Sequence, residues 1–252
     1  LSPVLPDTAA RAATFLNLPQ PFAWHMIGQP LPAGGIYNSN RFVLNALLRR
    51  LGCEVLDLGI VPDSREATRQ ALREAAEGAD LIISAGGVSV GEEDHVRPAV
   101  EAEGQIDLWR VAIKPGRPLA YGRVGRHGPE GARAAVPGSF AHFIGLPGNP
   151  VSAFVTFLLF VRPFVLRLQG IQAVEPQAVT LISGFDWTNP DRRREFLRAV
   201  HLPDGRLGLF RQQGSAVLTS AVVGHGLIDN PPGQTIRQGD AVRFLSFAEL
   251  LN

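Results

Sequence analysis

The stretch AGGVSVGEED, Ala85 to Asp94, sets Gly86, Gly87 and Gly91 among small residues and closes on three acids. Such glycines let a backbone come close to a ligand, a hydroxyl such as that of Ser89 can bond to it, and a following helix N-terminus favours an anion. A second stretch, GLPGNPVS from Gly145 to Ser152, repeats the arrangement: Gly148 permits a tight turn, and Asn149 and Ser152 stand at the start of an apolar helix. Between the two, IKPGRP carries Lys114 and Arg117 around a Pro-Gly turn that aims both cations outward, as a phosphate or oxyanion clamp would. Each loop alone can be a plain turn or a solvated pair of charges; the three together favour an anion site. Glu92, Glu93 and Asp94 suit a helix dipole, and a carboxylate beside a phosphate can also hold Mg2+; spacing does not choose between them.

Loops of this kind sit beyond the carboxyl ends of strands in open α/β sheets. NRFVLNALLRRL has helical apolar spacing, Ser39 or Asn40 as N-cap and Gly52 as its stop, and CEVLDLG follows as a strand. Asp63 and Glu66 have capping-box spacing ahead of ATRQALREAAEG, and DLIISAGG reads as a strand buried on both faces. A helix is predicted from near Glu92, then strands in IDLWRVAI, PLAYGRV and FIGLPG. A long apolar helix follows, from Asn149 and Pro150 towards Gly170 and kinked at Pro163. The alternation predicts an α/β domain of three layers with a mostly parallel sheet. Past Gly170 come short strand-like runs split by Gly, Pro, Asp and Asn, a small all-β domain. The expected division is 1–33 unassigned, 34–170 α/β and 171–252 β.

Composition narrows the function. An apolar fraction of 45% and a charged fraction of 19% are those of a globular chain, and a net charge of +1 gives no reason to expect nucleic-acid or membrane binding. No apolar run approaches the roughly 20 residues of a membrane span. The single cysteine, Cys53, rules out an internal disulfide and a multi-cysteine metal site, and no HExxH occurs. A reducing cytoplasm is the expected setting, with no secretory signal in view.

In order and spacing, GGIYNSNRFVLNALLRRLGCEVLDLGIVPDS, ADLIISAGGVSVGEEDHV, IKPGRPLAYG and GLPGNPVSA resemble the molybdopterin molybdenumtransferase family, MoeA in bacteria and the E domain of gephyrin in animals. The resemblance runs from about residue 28 to 252. It implies a molybdopterin-binding α/β domain followed by the family's C-terminal β domain. The activity implied is insertion of molybdenum from molybdate into adenylylated molybdopterin, with Mg2+-dependent release of AMP, by a cytoplasmic homodimer. Implied partners are the preceding adenylyltransferase and the enzymes that accept the cofactor. Carried over residue by residue, Asp94 matches an acid associated with Mg2+, and Lys114 and Arg117 match cations of the anion site. Pro118, Ser152, Arg193 and Ser215 match positions of the molybdate pocket, the match at Arg193 being open among Arg192, Arg193 and Arg194. Asn38 stands where several relatives have a metal-linked Asp; its amide can coordinate but brings no charge. Residues 1–30 do not resemble the family's two N-terminal domains, so a chain lacking them is expected. Two other readings stand beside the insertase: a molybdopterin adenylyltransferase, whose first loop is usually TGGTG, and a non-catalytic binding or scaffold module.

Overall fold

The computed structural model describes residues 38–88, 95–126, 139–216 and 218–251. Helix α1 (Ser39–Arg50) starts one residue earlier than the motif suggests, because Asn38 is its N-cap and accepts from the Arg41 N–H at 3.2 Å. Helix α2 (Arg65–Gly78) is likewise capped by Ser64 rather than Asp63, with the Ser64 hydroxyl accepting from the Ala67 N–H. Strand β1 (Leu81–Ala85), helix α3 (Val96–Glu103), strands β2 (Gly104–Leu108), β3 (Ile113–Lys114), β4 (Ala120–Gly125) and β5 (Phe140–Leu146) follow.

The first sheet has the order β1-β5-β4-β2. The α/β class stands, and the described sheet is mixed: β1 and β5 run parallel, whereas β5 with β4 and β4 with β2 are antiparallel. Strand–helix alternation predicts parallel pairing, but no described helix separates β2 from β4, so the chain returns beside itself. The strand expected at CEVLDLG belongs to no ladder among the described residues. Leu56, Leu58 and Ile60 on that segment and just beyond it are 62%, 38% and 73% exposed.

Helix α4 (Pro150–Leu168) is long and apolar enough to cross a membrane, yet most of it is buried, and it is the central core helix. The expected disturbance at Pro163 takes the form of a π-helical turn over Phe157–Val161. Pro163 has no N–H to return and its ring crowds the carbonyl four residues back, so the wider turn relieves both demands.

After α4 come β6 (Val179–Ile182), β7 (Arg194–His201), β8 (Leu207–Leu209), α5 (Thr219–Val223), β9 (Gly226–Asn230), β10 (Ala241–Ser246) and α6 (Phe247–Leu250). They form a second sheet, β3-β7-β9-β10-β6, with β8 on β7. Its edge strand β3 comes from the IKPGRP segment and lies parallel to β7, Ile113 opposite Arg194 and Lys114 opposite Glu195. One hydrophobic cluster joins the two sheets through α4: Leu44 and Leu47 of α1, Phe154 and Leu158 of α4, Phe196 of β7, and Phe247 and Leu250 of α6.

Candidate functional site

Because β1 and β5 are parallel neighbours, with Ala85 opposite Leu146, the two glycine loops leave the first sheet side by side. Gly86 donates its N–H to the Leu146 carbonyl at 3.0 Å, and its φ of 98° and the 68° of Gly87 need glycine. A Cβ on Gly148 would lie 3.7 Å from the Gly86 Cα, so the loops touch. The Ser84 hydroxyl beneath them is buried with no partner among the described residues. Ser89, Gly91 and Asp94 lie outside the described residues.

The first turn of α4 continues directly from the second of these loops. Asn149 is its N-cap and Pro150 its first residue, but the Asn149 side chain does not cap. It donates instead to the Ser215 hydroxyl at 3.2 Å, while the Val151 N–H donates to the Ser215 carbonyl at 3.0 Å. Ser215 is thereby held against the helix start that carries buried Ser152. IKPGRP packs on the same helix after a cis Lys114–Pro115 bond. At Gly116, with φ 112°, a Cβ would come within 2.4 Å of the Thr156 side chain, so only glycine fits.

The cations behave differently from one another. Arg117 is exposed and has no ion-pair partner among the described residues, and Pro118 beside it is half-buried. Lys114 turns back onto the second sheet, its ammonium 3.2 Å from Glu195 Oε1 and 3.4 Å from Asp191 Oδ2. Glu195 is fully buried and accepts the Trp187 indole N–H at 2.8 Å through its other oxygen. Arg193 forks onto Asp191 with bonds of 2.9 and 2.8 Å. That guanidinium, the Arg193 backbone N–H and then Lys114 hold the Asp191 carboxyl far below the usual carboxylate range. Lys114 and Arg193 thus already face one carboxylate each or more, and of these three cations Arg117 is the one with no carboxylate among the described residues.

Asn38 is exposed at the head of α1, its amide oxygen accepting the Arg41 N–H. Among the described residues no three His, Cys, Asp or Glu side chains gather as a metal site.

Two residues escape the motif reading. Arg198 on β7 is 2% exposed; among the described residues it meets no carboxylate, its guanidinium donates to the carbonyls of Phe196 at 3.3 Å and Gly214 at 3.0 Å, and Nε has no partner. Burial lowers its pKa to about 10, so it stays charged at neutral pH, one residue away from Ser215 through the Gly214 carbonyl. The available signal was an arginine inside the apolar run EFLRAV, which reads as an outward strand position. Asn40 is the second: buried, it donates to the Gly148 carbonyl at 2.7 Å and ties α1 to the second glycine loop.

A groove of about 340 Å3 lies elsewhere, between Leu58–Pro62 and α2, lined by Ala67, Ala71 and Glu74 and by none of the residues above. Gln70 and Glu74 are its polar lining residues, and no cation lines it among the described residues.

Comparison with known proteins bears on this cluster. Residues 23–167 match the family model described as a probable molybdopterin binding domain, and residues 180–247 match that of the MoeA C-terminal region, domain IV. The molybdopterin molybdenumtransferase of Haemophilus influenzae is 45% identical over 144 residues, covering 57% of this chain and 32% of that protein. The molybdenum cofactor synthesis protein cinnamon of Drosophila melanogaster is 34% identical over 213 residues, covering 81% of this chain and 32% of its own. The chain spans about a third to two fifths of the curated relatives it matches. Among solved structures, the molybdopterin biosynthesis MoeA protein from Pyrococcus horikosii shares the fold, with a TM-score of 0.69 at 24% identity over 87% of this chain and 50% of that one.

Proposed function

Because the chain belongs to the molybdopterin molybdenumtransferase (MoeA) family, we propose that it carries the cofactor-binding end of an enzyme that inserts molybdenum from molybdate into adenylylated molybdopterin and releases AMP. The observation that carries the reading is Arg198, a buried guanidinium with no carboxylate and no Nε partner among the described residues, bonded to the Gly214 carbonyl next to Ser215, which is held at the start of α4. A buried cation of this kind is costly unless an anion meets it. Molybdate is such an anion.

The roles divide by chemistry. Arg198 and Ser215, together with Ser152 and Pro118, are assigned the oxyanion. Gly86, Gly87 and Gly148 let backbone approach the phosphate groups, and the helix N-terminus at Asn149 favours their charge. Arg117 adds an outward cation; Lys114 and Arg193 set the position of the β3–β7 edge through Asp191 and Glu195. For Mg2+ the finer assignment is Asp94 with the Asn38 amide oxygen, which accepts the Arg41 N–H and retains a second lone pair. Mg2+ asks for only one or two protein oxygens beside substrate phosphates, and bound there it would neutralise phosphate charge. Ser89 and Gly91 complete the first loop in the same assignment. The working form is taken to be a cytoplasmic homodimer, for which exposed Ile171, Val179 and Ile182 offer apolar surface; sedimentation of the full-length protein tests that.

The deciding experiment incubates full-length protein with adenylylated molybdopterin, Mg2+ and molybdate and follows AMP. Molybdate-dependent release of AMP with formation of active cofactor is expected. Nucleotide that is bound but never cleaved would overturn the insertase, and ATP-dependent adenylylation of free molybdopterin would replace it by the preceding reaction.

A further inference from the structure

The Gly148–Asn149 peptide is gripped from two sides. From the first turn of α1, buried Asn40 donates to the Gly148 carbonyl at 2.7 Å across 108 positions of sequence. From the segment between β8 and α5, Ser215 accepts from the Asn149 side chain and from the Val151 N–H. The only cis bond among the described residues is Lys114–Pro115, so this peptide is trans, and in a planar trans peptide the carbonyl and the N–H point to opposite sides. A carbonyl drawn to α1 therefore turns the Asn149 N–H away from it, and that N–H has no partner among the described residues.

We propose that Asn40 is a positioning residue: it fixes the Gly148–Asn149 peptide so that the N–H, and not the carbonyl, is presented to the anionic ligand. The orientation matters because a flipped peptide would set the negative end of its dipole against the phosphates, while a pre-aimed N–H stabilises them without reorganisation. Neither Ser215 contact involves the Gly148 carbonyl, so the bond from Asn40 is the one that sets its direction. The proposal rests on the reading of this turn as part of the anion site.

The test uses full-length protein and two variants, with inorganic pyrophosphate titrated by calorimetry and adenylylated molybdopterin turned over in parallel. Asn40→Ala removes the donor and is expected to weaken pyrophosphate binding and raise KM about tenfold, with kcat within about twofold of wild type. Asn40→Asp keeps the shape but sets a carboxylate against the carbonyl at neutral pH. Burial and the facing carbonyl would raise that carboxyl's pKa above the usual range, so as pH falls towards about 4 a protonated Asp can donate again and its deficit relative to wild type is expected to shrink. A loss unrelated to the donated hydrogen bond would be the same at both pH values, and a deficit in Asn40→Asp that does not change with pH overturns the proposal even where Asn40→Ala fails to fold. If wild type binds and both variants bind equally well, the proposal alone fails. If wild type binds neither pyrophosphate nor adenylylated molybdopterin, the functional reading fails and the proposal with it.

Discussion

Burial takes the Arg198 guanidinium out of water, and two backbone carbonyls do not replace what it loses. An apolar side chain of similar length should therefore be tolerated by the empty protein. Arg198→Met is expected to change stability by less than about 1 kcal/mol without ligand, because buried ions give way to apolar residues at little cost. The same substitution should abolish the rise in unfolding temperature that molybdate gives the wild type. A variant that unfolds several degrees lower and still responds to molybdate would assign Arg198 to the scaffold. Lys114 allows a separate measurement, since it is the only lysine in this sequence. Its contacts with Asp191 and Glu195 predict slow acylation, and ligand binding should leave that rate nearly unchanged, whereas an ammonium in direct contact with ligand would be protected. Peptide mapping after acylation of the full-length protein reads the difference.

At the scale of elements, one clasp between helices lies away from the site. Glu103 closes α3 with its side chain 2% exposed, and Arg69 and Arg73 of α2 each reach it at 2.6 Å. Glu103→Ala would remove the buried anion of both arginines, leaving Arg69 its looser pair with Glu66 at 3.8 Å, and is expected to cost about 3 kcal/mol, less than for a fully enclosed triad because both arginines are partly solvated. Burial alone would raise the Glu103 pKa, but the bonds from Arg73 and Arg69 bring it below the ordinary value. Its contribution is therefore complete above the unfolded carboxylate range and is lost as pH falls through the lower folded pKa. Acid unfolding of Glu103→Gln should accordingly be less steep than that of wild type. The amphipathic spacing of α1 and α2 and the Asn-Pro start of α4 made these helices legible, since period and caps are local properties. CEVLDLG was not legible in the same way: alternation tells that a segment can be a strand, while a ladder needs a neighbour, and no described strand lies beside it. Arg198 and Asn40 stayed hidden for a related reason, because their roles come from contacts 16 and 108 residues away.

Across the whole molecule, a change of texture at Gly170 suggested two domains, and among the described residues contacts cross that point. Phe154 of α4 meets Phe247 edge-on at 5.5 Å, and Arg50 of α1 donates to the Leu251 carbonyl at 2.6 Å. Gln169 reaches back to the Leu51 carbonyl, and buried Arg162 donates to the carbonyls of Val174 and Glu249. β3 has left the first part of the chain to become the edge of the second sheet. A chain cut after Gly170 would uncover the faces of α1 and α4 that Phe196, Leu227, Leu245, Phe247 and Leu250 now fill. It is expected to aggregate or to lack a cooperative transition, while the 252-residue chain should unfold in one calorimetric transition. Phe154→Ala, placed at the junction, should cost about 3–5 kcal/mol and shift that single transition as a whole. Two separated transitions, with only one moved by the substitution, would show that the sheets are stable independently. Lys114, Ser215 and the start of α4 would then be free to part, whereas a shared core keeps the second sheet's contribution to the anion site fixed whenever the first is folded.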